Sequence, residues 1–472
     1  MRRDRIVPLI IAVALFMENM DSTVIATSLP AIAADIGTNP LALKLAITSY
    51  LLSLAIFIPV SGWTADRFGT RTVFRAAIAV FMLGSIGCAL SSSLSDFVIA
   101  RIVQGMGGAM MTPVGRMVLV RSISRRELVA AMAWVTVPAL MGPVIGPPLG
   151  GFITTYASWH WIFLINVPIG IVGILLATKY IEDLRVEERE RFDVTGMVLA
   201  GLGIAGVAFG FSILGLNFLP WTLVAALIFG GAAFIAAFLV HAKRTPRPAL
   251  DLTLLRLPTF RASVTGGFVF RLGIGALPFL LPLMLQVGFG MSPFQSGMIT
   301  FSSAVGAMAM KVAASTVLRR YGFRTILVFN AFVSAAFLAA VAAFTETTPV
   351  AAMLALLLVG GFFRSLQFTS INTLAYAEVE NARVGRATAL VSVVQQLALS
   401  AVVAFGALAV EVSMWLRGDG ILQAADFPPA FLAVAAISAL SAFIFMRLPA
   451  NAGAELADRA PVPTESSDQR TG

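Results

Sequence analysis

The sequence predicts an all-α polytopic membrane protein of about fourteen transmembrane helices, built as two six-helix bundles with two further helices inserted between them. Three observations carry this. Of 472 residues, 58% are hydrophobic and only 12% are charged, too little polar surface to clothe a water-soluble chain of this size. Apolar stretches of about 20 residues, the length a helix needs to cross a bilayer, recur along the whole chain. The first and last parts of the chain also echo each other at a near-constant offset.

Taken in order, spans are expected at 7–27, 43–62, 73–91, 96–118, 128–152 and 161–180, then at 194–214 and 221–240. The remainder fall at 262–287, 294–317, 325–343, 350–376, 387–412 and 429–447. The chain thus divides into an N-terminal bundle over 1–180, a C-terminal bundle over 262–447 and a middle segment over 181–261. That middle segment holds a charged loop, the inserted pair and a basic linker. The tail over 448–472, rich in Ala, Pro, Ser and charge, reads as disordered and cytoplasmic.

An even number of crossings puts both termini on one side, and charge says which. Of the 33 Lys and Arg, only Lys44 and Arg417 fall in loops away from the termini, and Arg101, Arg271, Lys311 and Arg364 fall within spans. The positive-inside rule therefore places both termini in the cytoplasm. It also explains the net charge of +9 as a topology signal, so nucleic acid is not an expected partner. Arg2, Arg3 and Arg5 before an apolar run resemble a signal peptide, but the acids inside that run favour an uncleaved first helix. The single cysteine, Cys88, excludes an intrachain disulfide. His160 and His241 make no ligand pattern, so no metal and no cofactor are expected.

The repeat is visible in three places. Asp66-Arg67-Phe68-Gly69-Thr70-Arg71-Thr72 matches Arg319-Arg320-Tyr321-Gly322-Phe323-Arg324-Thr325 at an offset of 253 residues. Leu29-Pro30 matches Leu281-Pro282, and Arg101-x-x-Gln104 matches Arg364-x-x-Gln367. A duplicated bundle around a central site is the architecture of a rocking transporter.

Residues that are costly in a bilayer mark the candidate site. Glu18 and Asp21 lie within the first span on one helical face, where an ionised group costs roughly 2.5–3.5 kcal/mol on insertion scales. Arg101 is expected at the same depth as Asp21, close enough to meet it, unless its long side chain snorkels to the interface. Asn19, Gln104, Arg271, Arg364 and Gln367 are the candidate cavity residues. Lys311 and Glu411 lie nearer the span ends, where snorkelling is expected. In the loop after the second span, Gly62, Asp66, Arg67, Gly69 and Arg71 combine a turn with charges able to make and break pairs between conformations. In the fifth span Gly142, Gly146 and Gly150 line one face. With Pro143, Pro147 and Gly151 they predict a hinge or a tight helix seam.

No glycine-rich phosphate loop occurs, no loop is long enough for a nucleotide-binding domain, and no nucleophile–base constellation appears. The sequence is therefore not read as an enzyme or an ATP-driven pump.

At these residues the chain resembles the major facilitator superfamily, and within it the fourteen-span drug:proton antiporters of the EmrB/QacA type, such as the MdtD-type multidrug resistance proteins. Met20-Asp21-Ser22-Thr23 with Leu29-Pro30 matches one family motif, with Met20 in place of the usual leucine. Gly62 to Arg71 matches motif A, Arg101 to Gly105 motif B, and Gly142 to Gly151 the antiporter motif C. The resemblance implies proton-coupled efflux from a bacterial inner membrane, with Asp21 as coupling acid, Arg101 as its modulator and motif A as a conformational latch. Expected partners are the lipid bilayer, protons and a small-molecule substrate, with periplasmic adaptor proteins as a further candidate. Two other readings stand beside multidrug export. One is export of a small anionic metabolite or metal chelate, motivated by Arg101, Arg271 and Arg364; the other is a passive channel or transporter-like sensor.

Overall fold

The computed structural model describes residues 3–122, 125–183, 192–213, 219–246, 248–380, 383–418 and 421–457. Fourteen helices among the described residues are long and apolar enough to cross a membrane, and each coincides with one expected span. The first bundle comprises α1 (Arg3–Val24), α2 (Lys44–Phe68), α3 (Thr70–Ala89), α4 (Leu94–Ser122), α5 (Arg125–Tyr156) and α6 (Asn166–Tyr180). The inserted pair is α7 (Val194–Ile213) and α8 (Trp221–Arg244). The second bundle comprises α9 (Pro258–Ile274), α10 (Pro293–Tyr321), α11 (Phe323–Val341), α12 (Val350–Leu374), α13 (Val384–Arg417) and α14 (Phe427–Phe445). Several helices outrun the apolar stretch that announces them, as α13 does to Arg417, because backbone hydrogen bonding continues into the polar interface.

The duplication is structural as well as sequential. α2 turns into α3 through Gly69 at φ 95°, and α10 turns into α11 through Gly322 at φ 77°. A side chain with a Cβ is strained in that left-handed region, which is why both copies use glycine. Both bundles also break their first helix at a Leu-Pro pair. After α1 the chain passes through Ile25–Thr27 into a short helix Leu29–Asp35, and after α9 into Leu277–Leu283. Within the bundles α2 packs on α4 as α10 packs on α12, and α3 on α6 as α11 on α14.

Glycines set the closest approaches. A methyl group on Gly142, Gly146 or Gly150 would run into Met20, Thr23 or Val24 of α1, so this face of α5 is a tight seam. Gly151 meets Pro293, and Gly297 of α10 meets Pro147, so a second face of α5 seals the two bundles together. α5 remains one helix although Pro138, Pro143, Pro147 and Pro148 lie inside it. Between the hinge and the seam anticipated there, the structure has the seam.

α7 and α8 pair through Gly203, Gly206, Gly210 and Gly231, and α7 leans on α2 and α13. The linker beyond α8 is pinned rather than loose. Asp193 accepts from the Gly196 and Ala249 amides and contacts His241 at 2.7 Å, while Asp251 accepts from Arg383 at 3.0 Å. The expected disordered tail needs correction at its start: Leu448 and Ala452 are buried, and Gly453 abuts Phe323 and Leu374. Residues 458–472 and the loop residues 184–191 lie outside the described residues.

Candidate functional site

The first part of the site is a polar cluster sealed inside the N-terminal bundle. Asp21 and Arg101, 0% and 1% exposed, pair at 2.7 Å between Oδ2 and Nη1. The other carboxylate oxygen accepts from Gln104 Nε2 and from Asn166 Nδ2, each at 2.9 Å. Both amides also reach the Ser85 hydroxyl, at 2.8 and 3.2 Å. One carboxylate thus ties α1, α3, α4 and α6 together. Arg101 does not snorkel. Its guanidinium lies 4.2 Å from the centre of the Tyr50 ring, a cation–π contact in a desolvated place. Three donors on the carboxylate supply the hydrogen bonding that a buried ion pair needs to be tolerated.

Glu18 is separate from this cluster. It is half-buried and accepts from the Thr112 hydroxyl at 2.7 Å. Gly108 sits between the two groups: a methyl there would lie 3.2 Å from the Tyr50 hydroxyl and 3.7 Å from Glu18 Cγ. The Tyr50 hydroxyl is buried without a hydrogen-bond partner, as is Asn166 Oδ1. Two unsatisfied polar atoms beside two carboxylates are an unusual concentration for a protein interior.

The second part is a cavity of about 250 Å³ between the bundles. Thr23, Thr27, Pro143 and Val144 line it from the N-terminal bundle, and Leu281, Ser303, Lys311 and Arg364 from the C-terminal bundle. Polar contacts between the bundles lie at the face away from the chain termini. There Gln286 Nε2 donates to Thr27 O at 2.9 Å, the Phe294 amide donates to Thr155 Oγ1 at 3.1 Å, and Lys44 pairs with Glu411 at 2.8 Å. These contacts join the bundles on that face.

The expected cavity residues divide. Arg364 lines the cavity, whereas Asn19, Gln104, Arg271 and Gln367 are not among its lining residues. Asn19 donates to Leu15 O of its own helix. Gln104 belongs to the Asp21 cluster, and its repeat partner Gln367 is buried against Leu327 O and Asn330. In each bundle this glutamine braces one helix to the next. Arg271 lies beside a small cleft, bound to Asn372 Oδ1 at 3.1 Å and to Gly267 O. Asp21 turns into its own bundle and is not among the cavity's lining residues.

Lys311, exposed, is among the residues lining the cavity, and Glu411 holds Lys44 across the bundle interface. Lys44, placed by sequence in an outer loop, begins α2 and is fully buried. In motif A, Asp66 pairs with Arg121 at 2.7 Å, and Arg67 lies 5.4 Å from the Trp63 ring. Gly62 has room against Met117, and the turn glycine Gly69 is crowded by Asp183. Arg71 has its Nε buried without a partner. Sequence reasoning missed Asn166, Ser85, Thr112 and Tyr50. Asn166, an amide within an apolar span, carried the signal that finds such residues; the others are too common in helices to stand out.

Two helical bundles meeting over a cavity are the architecture of a membrane transport protein. The family model described as the Major Facilitator Superfamily matches residues 11–241 and 263–468, and the chain belongs to that family of secondary transporters. It is 39% identical over 454 residues to a protein of Salmonella heidelberg (strain SL476) whose name, MdtD, carries a provisional multidrug resistance assignment. That alignment covers 93% of this chain and 94% of the relative. The same-named protein of Salmonella typhimurium is equally similar, with the same coverage. Among solved structures, a D-xylose–proton symporter superposes with a TM-score of 0.68 at 16% identity, over 95% of this chain and 98% of that one. An inward-facing bacterial homologue of the lysosomal transporter Spinster superposes with a TM-score of 0.64 at 16% identity, over 98% and 99%. At such identities these structures speak to the fold alone.

Proposed function

We propose that the protein is a proton-coupled exporter of small molecules in a bacterial inner membrane, working by alternating access with both termini in the cytoplasm. The observation that carries this is the Asp21–Arg101 pair, buried in a helix that also lines the substrate-sized cavity at Thr23, Ala26 and Thr27. With the bundles joined at the outer face by Lys44–Glu411 and Thr27–Gln286, substrate loads from the cytoplasm. Rocking of the bundles then breaks Lys44–Glu411 and Thr27–Gln286 and opens the outer side. A proton arriving there neutralises Asp21, which weakens its hold on Arg101, Gln104 and Asn166. Loosening that knot shifts α1 against α4 and α6 and favours return to the inward-facing state. Glu18, one turn before Asp21 on α1, relays the proton. Asp66–Arg121 acts as the motif A latch.

The names of the Salmonella relatives supply multidrug export as the broad substrate reading. The deciding experiment is transport in proteoliposomes under an imposed pH gradient. Asp21→Asn is expected to lose gradient-driven accumulation while keeping substrate counterflow, which needs only rocking. Full gradient-driven transport by that variant would reject the coupling role.

A further inference from the structure

The cavity between the bundles carries positive charge that no described lining residue neutralises. Lys311 on α10 and Arg364 on α12 both line it, and no acidic residue is among its lining residues. Each is ten residues from the inner end of its helix, at Tyr321 and Leu374, which puts both about 15 Å deep at 1.5 Å per residue. The helices that carry them are locked together just beyond. A methyl on Gly306 would overlap Leu358 O, and one on Gly361 would overlap Ser303 O. The two cations therefore lie at a similar depth on helices that share a rigid seam, Lys311 exposed and Arg364 half-buried.

The buried cations elsewhere have partners: Arg101 has Asp21, Lys44 has Glu411, and Arg271 has Asn372. Lys311 and Arg364 have neither a hydrogen bond nor an ion pair among the described residues. Two like charges at one depth in a low-dielectric space repel unless an anion sits between them. The rest of the wall is apolar, with Leu140, Pro143, Val144 and Leu281 among its residues.

We propose that Lys311 and Arg364 clamp the acidic head of an amphipathic anion, whose apolar body lies against the proline-rich wall of the cavity. The transport consequence rests on the exporter reading above, and this proposal narrows it to a substrate class. A lipophilic cation would meet two like charges and no counter-ion, so the same pair excludes it. The guanidinium supplies a bidentate grip on a carboxylate or sulfonate, and the ammonium a second point of charge. A volume of about 250 Å³ suits a small ligand rather than a drug-sized one.

The test uses the full-length protein in phosphatidylcholine vesicles with naphthoate and naphthylmethylammonium, one ring system carrying opposite charges. Binding is read by equilibrium dialysis of labelled probe, and transport separately by accumulation under a pH gradient. The wild type is expected to bind naphthoate, and Lys311→Gln and Arg364→Gln each to weaken it about tenfold or more. Lys311→Arg and Arg364→Lys keep the charge and are expected to restore most of the binding, which separates charge loss from misfolding. Binding of naphthoate without gradient-driven movement supports the anion site and defeats the exporter reading alone. Preference for the amine, or naphthoate binding unchanged in both Gln variants, overturns the proposal. So does loss of naphthoate binding when phosphatidylglycerol is added, which would assign the two cations to a lipid headgroup.

Discussion

Asp21 does two things that pull in opposite directions. It is the acid proposed to exchange protons, and it is the anion paired with a fully buried guanidinium. Removing one partner of such a pair costs about 3–5 kcal/mol, because the other charge remains in the interior. Arg101→Leu is therefore expected to lower stability by about that amount, and Asp21→Leu likewise. The double variant should cost less than the sum, with an interaction energy of about 0.5–3 kcal/mol in the cycle. Unfolding of the detergent-solubilised variants measures this, and additive losses would mean that the pair is not coupled. Asn166 is the cheaper probe. Asn166→Leu removes one of three donors to Asp21 without stranding a charge, and it should slow gradient-driven transport while sparing counterflow. An unchanged rate would take Asn166 out of the coupling network. Asp21 and Arg101 announced themselves in sequence because charge is rare and expensive in an apolar span. Tyr50 did not, since an aromatic residue on a membrane helix is unremarkable until a guanidinium is found above it.

At the level of elements, glycine determines which helices touch. Gly146 of α5 faces Thr23 with no room for a methyl, so Gly146→Leu is expected to push α5 off α1 and abolish transport and much of the folded yield. Size-exclusion profiles of the solubilised variant would show this, and a well-behaved, active variant would discount the seam. The linker offers a pH test outside the membrane. Burial opposes ionisation of Asp193, but the Gly196 and Ala249 amides and the His241 ring outweigh it, so its carboxyl titrates below the ordinary value. A lowered folded pKa contributes stability that is full above the unfolded value of about 3.9 and is lost as pH falls through the folded one. Pepsin digestion of the 245–257 linker should therefore rise only below about pH 4 in the wild type. Asp193→Asn should shift that rise to higher pH; identical profiles would dismiss the tether. The periodic glycines and the motif A turn were readable in sequence. Which neighbour each glycine admits was not, because the two faces of α5 serve two different partners.

For the whole molecule the decisive contacts are those between bundles. Lys44 and Glu411 lie far apart in sequence and meet only because the two halves close on the face away from the termini. Replacing both with cysteine and bridging them with a short bifunctional thiol reagent should freeze the cavity closed on that side. Transport is expected to stop and to return on reduction; Cys88, fully buried, would not compete for reagent. Continued transport by the bridged protein would show that this face does not open during the cycle. Fourteen spans and the duplication follow from hydropathy and repeat spacing, because a bilayer demands apolar length and backbone self-sufficiency wherever a chain crosses it.

The sequence by itself determined the number of crossings, the internal repeat and the presence of Glu18, Asp21, Arg101 and Arg364 at membrane depth, since each follows from local composition. Only the tertiary structure decided which way those charges turn. Asp21 and Arg101 close on each other inside one bundle, and Lys311 joins Arg364 in the cavity between bundles. The rotation of a helix about its axis is set by packing against neighbours, and that information is spread over contacts from every part of the chain.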